Sequence, residues 1–160
     1  MSLRELNGDD LLNRAAELAF KSTPLADPLA FVHLPQPLKN IYLISTFEFE
    51  YFNGGLSQFL TNSSGAFASE TVTAFISVGA LRTAELLSGV LDALGKAGLS
   101  LNELRWSQPK REEFDIVRMV DLFPAQFFEI VTPFHRQIRE EDWDAEKLIA
   151  YLESNKHLLP

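Results

Sequence analysis

Apolar residues recur at intervals of three and four positions along most of the chain, and this spacing predicts α-helices rather than strands. One such stretch runs from Leu11 to Phe20 after Asp9 and Asp10, either of which is a suitable N-cap. The pattern predicts an all-α fold, a single compact helical domain of about seven helices over residues 1–160. Besides the segments treated below, helices are predicted near residues 68–78, 81–94, 111–122, 125–139 and 144–154.

The longest apolar run extends from Leu38 to Phe52 and stops at the pair Gly54 and Gly55. A strand interpretation of its end is weaker, because the run is about 15 residues long and strands usually end near 5–6. Glycine adopts positive backbone angles that other residues avoid. The sequence therefore predicts a largely buried helix, a sharp break at the two glycines and a short helical turn over 56–60.

Composition places the chain among ordinary globular proteins. Its 160 residues include 46% apolar residues and 13 phenylalanines, so a core rich in aromatic rings is expected. It has no cysteine, which excludes disulfides and thiolate chemistry and fits a reducing compartment. The polar N-terminus and the lack of an apolar run near the ~20 residues of a membrane span predict a cytoplasmic protein without membrane association.

One segment resembles the signature of a known family. The residues that carry it are Glu50, Asn53, Gly54, Gly55, Gln58, Phe59 and Asn62. With Val78-Gly79-Ala80 further on, they resemble the bacterial DNA-mimic protein family, and the likeness extends over about 38–139. The resemblance implies a small helical protein, often a homodimer. The family's best-studied type presents carboxylates in place of DNA phosphates to a helix-turn-helix repressor.

The motif itself is expected to be structural. Gly54, Gly55 and Asn53 suit a turn, and Gln58 and Asn62 are expected to satisfy backbone groups that the break frees. The alternative is a small-ligand-binding protein or an enzyme that uses the Glu50–Gln58 region, with a pocket lined by Glu50, Asn53, Gln58 and aromatic rings.

Glu48 and Glu50 are two residues apart on a helix, so they point to different faces and do not form a catalytic pair. One of them is expected to accept hydrogen bonds at the break or to pair with Arg82.

The formal charge of −8 argues against direct binding of nucleic acid and favours a basic protein as the partner. The family resemblance implies that this basic partner is a DNA-binding protein. At helical spacing, residues such as Asp142 and Glu146 would form a row of negative charge. The alternative is a solvated face that interleaved Lys and Arg neutralise. The predicted partner-binding carboxylates are Glu112, Glu113, Asp115, Glu140, Glu141, Asp142, Asp144 and Glu146.

Trp143 is added to the partner-binding set, because tryptophan beside charged residues is common at interfaces and equally common as a core anchor. Trp143 or Trp106 would also serve an alternative role of the protein as a toxin or nuclease inhibitor. His33, His135 and His157 show no short metal-ligand spacing. The sequence predicts a protein that acts by binding rather than by chemistry, without catalytic residues, metal or cofactor.

Overall fold

The computed structural model describes residues 2–23, 30–102 and 123–160, with the side chains of these residues apart from Glu140 and Glu141. Within them every regular element is helical, which confirms the all-α prediction. The predicted helix near 111–122 lies outside the described residues. Helices with both ends described are α1 Gly8–Lys21, α2 Gln36–Thr61, α3 Ala68–Ser77, α4 Leu81–Lys96, α5 Ala125–His135 and α6 Ala145–Ser154. Single 3-10 turns occupy Leu3–Glu5, Ala30–His33, Ser63–Phe67, Glu140–Trp143 and Lys156–Leu158.

The long helix α2 is the centre of the fold. It packs against α1, α3 and α5, while α4 packs against α3 and α5, and α6 packs against α1. These contacts enclose one hydrophobic core, in which ring-to-ring contacts are frequent. The expected aromatic core is confirmed by the largest fully buried rings, which are Phe31, Phe47, Phe59, Phe75, Phe127 and Trp143.

The start of α1 differs from the prediction. The helix begins at Gly8, and Asp9 and Asp10 lie in its first turn instead of capping it. The side chain of the N-cap residue Asn7 makes no capping hydrogen bond either. Instead the Gly8 N–H donates to Glu153 Oε1 at 3.2 Å. A carboxylate distant in sequence thus satisfies one of the free N–H groups at this helix end.

The amino end of α4 is completed in the same way. Its N-cap residue is Ala80, which has no side-chain acceptor. The Thr83 N–H donates to Asp142 Oδ2 at 2.6 Å, so a residue 59 positions further along caps the helix. This contact fixes the 3-10 turn Glu140–Trp143 against α4.

The end of α5 also corrects the prediction. The helix stops at His135, not near 139, and Pro133 lies in its last turn. Proline lacks the N–H that would bond back to the preceding turn. The chain then leaves the helix through hydrogen bonds from the Arg136 N–H to Thr132 and from the Gln137 N–H to Phe134.

Candidate functional site

The backbone breaks within α2 at the predicted position. Gly54 has φ −160° and ψ 16°, and Gly55 has φ 74° and ψ −171°, so neither residue is helical. The positive φ of Gly55 is the region in which a side chain is strained, and a Cβ there would also lie 2.9 Å from His135 Cε1. At Gly54 a Cβ would overlap the Gln58 side chain. The prediction of a break that requires two glycines is confirmed.

The Glu50 carboxylate spans the break. Its Oε2 accepts hydrogen bonds from Gln58 Nε2 and Asn62 Nδ2, both at 2.7 Å. Within the described ranges no donor reaches the second oxygen, Oε1, and no cation pairs with this carboxylate. The expectation that a glutamate accepts hydrogen bonds at the break is confirmed. Its alternative is wrong, since Arg82 pairs with Glu85 at 2.9 Å.

The backbone group that the break frees is satisfied by a residue that the sequence did not suggest. The Leu56 N–H donates to His135 Nδ1 at 3.3 Å, whereas Gln58 and Asn62 were expected to serve such groups. The His135 ring lies 5.2 Å from that of Tyr51, whose hydroxyl donates to the His135 carbonyl at 3.5 Å. His135 therefore links the end of α5 to the second part of α2.

A cavity of about 940 Å³ lies beside this cluster, and Glu50 forms part of its wall. Most of the lining is aromatic or aliphatic, with hydroxyl groups at intervals. Burial raises the pKa of Tyr42. The remaining lining residues are Phe20, Thr23, Leu43, Ser45, Phe49, Phe59, Ser63, Ser64, Phe67 and Thr71.

The predicted acidic set is only partly described. Glu112, Glu113 and Asp115 lie outside the described residues, as does Trp106. Glu140 and Glu141 open the 3-10 turn Glu140–Trp143, and their side chains are outside the described set. The other carboxylates of the set are Asp142, Asp144 and Glu146.

Asp142 and Asp144 both accept backbone N–H groups. Besides capping α4, Asp142 lies 3.5 Å from Lys147 Nζ through its Oδ1. Asp144 is the N-cap of α6 and accepts from the Lys147 N–H at 3.0 Å. The helical spacing assumed between Asp142 and Glu146 is wrong, because α6 begins only at Ala145 and Asp142 belongs to the turn before it. Asp144 and Glu146 are exposed.

Trp143 is a core residue, so its prediction as a partner-binding side chain is corrected. Its ring is 2% exposed and lies 5.7 Å from Phe47 and 5.6 Å from Phe75 between ring centroids. A ring in this position has no surface to offer a partner. The inhibitor alternative therefore loses one of its two tryptophans.

Two further observations concern metal binding and membrane spans in the described part of the chain. No group of three or more His, Asp and Glu side chains there is arranged to hold a metal ion. In the same residues no helix combines the length and the apolar character that crossing a bilayer requires.

The structure thus defines an acidic all-α protein with a broken central helix and an aromatic cavity beside the break. The family model of the DMP19-like proteins matches residues 32–155. The protein belongs to the DMP19-like protein family, so the resemblance read from the Glu50–Asn62 motif is confirmed at the level of the family. No curated protein and no solved structure gives a significant match.

Proposed function

We propose that the protein is an acidic binding module that acts as a DNA mimic and occupies the DNA-binding surface of a basic transcription regulator. The observation that supports this is membership in the DMP19-like family over residues 32–155, together with the formal charge of −8. The resemblance to DNA-mimic proteins implies carboxylates in place of phosphates. We propose further that the protein acts in the cytoplasm and as a homodimer.

Burial and internal contacts reduce the set of residues that we propose for this role. Asp142 accepts the Thr83 N–H at the amino end of α4 and faces Lys147. Its negative charge is therefore largely offset by groups of the protein itself. Trp143 is buried. The proposal rests on exposed Asp144 and Glu146, and on the further predicted carboxylates Glu112, Glu113, Asp115, Glu140 and Glu141.

The test is displacement of DNA from helix-turn-helix regulators of the native genome, each bound to a fluorescent operator fragment. The protein should release the DNA from at least one regulator and should do so less well as salt increases, because salt screens exposed charge pairs. A triple variant, Glu140→Gln, Glu141→Gln and Glu146→Gln, should weaken the displacement at least about tenfold.

A matched control removes the same charge elsewhere, with Glu70→Gln, Asp92→Asn and Glu129→Gln on exposed positions of α3, α4 and α5. It should leave the displacement nearly unchanged. An equal loss in both triple variants would show that net charge alone acts and would reject the C-terminal surface. Failure to displace any operator, or displacement that is indifferent to salt, would reject mimicry itself.

A further inference from the structure

The cavity beside the break in α2 has the size and the walls of a ligand site. Its volume of about 940 Å³ lies near the upper end of the roughly 300–1,000 Å³ that small-molecule pockets occupy. Residues of α1, α2, α3 and the 3-10 turn Ser63–Phe67 line it. Two of its rings are well exposed, Phe49 at 67% and Phe20 at 44%, so the aromatic surface is accessible.

Glu50 gives this cavity an uncompensated negative charge. The two groups that hold its Oε2 are neutral amides, so they orient the carboxylate without neutralising it. The described residues supply neither a donor to Oε1 nor a cation to the group. A carboxylate oxygen that accepts no hydrogen bond can accept one from a cationic donor, which forms a stronger hydrogen bond than a neutral donor does.

The rest of the wall suits the same kind of ligand. Aromatic faces attract cations within about 6 Å of the ring centroid and also bury apolar groups. A second polar group is present, since the Thr23 hydroxyl is buried and has no hydrogen-bond partner in the described part of the chain. The rings concerned are those of Phe20, Tyr42, Phe49 and Phe67.

We propose that the cavity binds a small organic ammonium ion with an apolar body. Its N–H groups donate to the free Oε1 of Glu50, and its rings or alkyl groups pack among the aromatic side chains. The proposal concerns a separate surface from the acidic one described above and does not depend on DNA mimicry.

Three probes with the same apolar body test the proposal: 3,3-diphenylpropylamine, 3,3-diphenylpropanol and 3,3-diphenylpropanoate. Titration calorimetry should give an affinity for the amine at least about tenfold higher than for the alcohol, which is the scale of one charged hydrogen bond. The carboxylate should bind more weakly than either. Equal binding of amine and alcohol, or no binding of the amine, would overturn the proposal.

Variants locate the site. Glu50→Gln keeps a carbonyl oxygen for the Gln58 and Asn62 amides but removes the charge, so it should lose about tenfold in amine affinity and leave the alcohol unchanged. Glu70→Gln, an exposed carboxylate on α3, should change neither. Retained amine affinity in folded Glu50→Gln would reject the site.

Phe49→Ala provides an independent measurement, because this exposed ring lines the cavity and is dispensable for the core. It should weaken the amine and the alcohol alike, and the amide NMR shifts caused by the amine should centre on 42–50 and 63–71. Unchanged affinity for both probes, or shifts centred elsewhere, would place the binding outside this cavity even if Glu50→Gln failed to fold.

Discussion

Glu50 and Asp142 are both half-buried carboxylates that accept two hydrogen bonds, but their surroundings differ in charge. Asp142 faces the amino end of α4 and the Lys147 ammonium group, and both complement its negative charge. Glu50 faces two neutral amides and an aromatic cavity. Asp142 is thus part of the scaffold, whereas no charged group of the described residues offsets the charge of Glu50. The number of acidic residues in a segment therefore says little about how many are available to a partner.

The scaffold role of the C-terminal segment is tested most strongly at Trp143. Trp143→Ala should lower the free energy of unfolding by about 3–5 kcal/mol, because a fully buried ring leaves a large cavity. Urea denaturation followed by circular dichroism measures the loss. Phe52→Ala, which removes a ring that is 52% exposed, should stay within about 0.5 kcal/mol of the wild type. Similar losses in the two variants would contradict the assignment of Trp143 to the core.

The geometry that presents Glu50 is tested at Gly55. Gly55→Ala should destabilise the protein by about 1–3 kcal/mol, because alanine is strained at φ 74° and its Cβ meets His135. Gly95→Ala is the matched control, since this glycine lies within α4 with open space around its Cα. It should stabilise the protein by up to about 1 kcal/mol. Thermal and urea unfolding of both variants check the opposite signs.

The contrast between capping and free carboxylates is tested in the acidic segment itself. Asp142→Ala should cost about 1–2 kcal/mol of stability, since it leaves the Thr83 N–H of α4 without its acceptor. Glu146→Ala, at an exposed position four residues away, should change stability by no more than about 0.5 kcal/mol. If both variants unfolded at the same denaturant concentration as the wild type, Asp142 would not be a cap.

The smallest effect is expected at Glu153, the carboxylate that accepts the Gly8 N–H of α1. The hydrogen bond with Lys156 lowers the pKa of Glu153, so its ionised form favours the folded state. This contribution to the stability is fully present at a pH above the ordinary carboxyl pKa of the unfolded chain. It is lost as the pH falls through the lowered pKa of Glu153 in the folded protein. Glu153→Gln should therefore flatten the decrease in Tm between neutral and acid pH. An acid decrease as steep as that of wild type would contradict the assignment.

Features of the site that depend on neighbouring residues were predictable from the sequence. The break at Gly54 and Gly55 follows from the residue type that such a backbone requires, and Glu50 is close enough along the chain to reach Gln58 and Asn62. The family resemblance rests on the same local residues. That both amides donate to the Glu50 carboxylate was not predictable, because glutamine and asparagine pair equally well with backbone groups and with a carboxylate.

Contacts between distant segments were not predictable. The roles of His135 and Asp142 depend on partners 79 and 59 positions away, and no spacing rule reaches that far. One local signal did exist, since Ala80 at the start of α4 offers no capping side chain and so requires an acceptor from elsewhere. The cavity was predicted only in part. Glu50 and aromatic rings line it, as the pocket alternative expected, but Asn53 and Gln58 do not, and its other walls come from several elements that only the fold brings together.

The caps on α1 and α4 also affect the order in which the protein is completed during synthesis. Both acceptors, Glu153 and Asp142, leave the ribosome long after the helices that they cap, and 145 and 59 positions separate donor from acceptor. The two caps can therefore form only once the C-terminal segment has been synthesised, so a chain that ended before Asp142 would lack the acceptors of both helices.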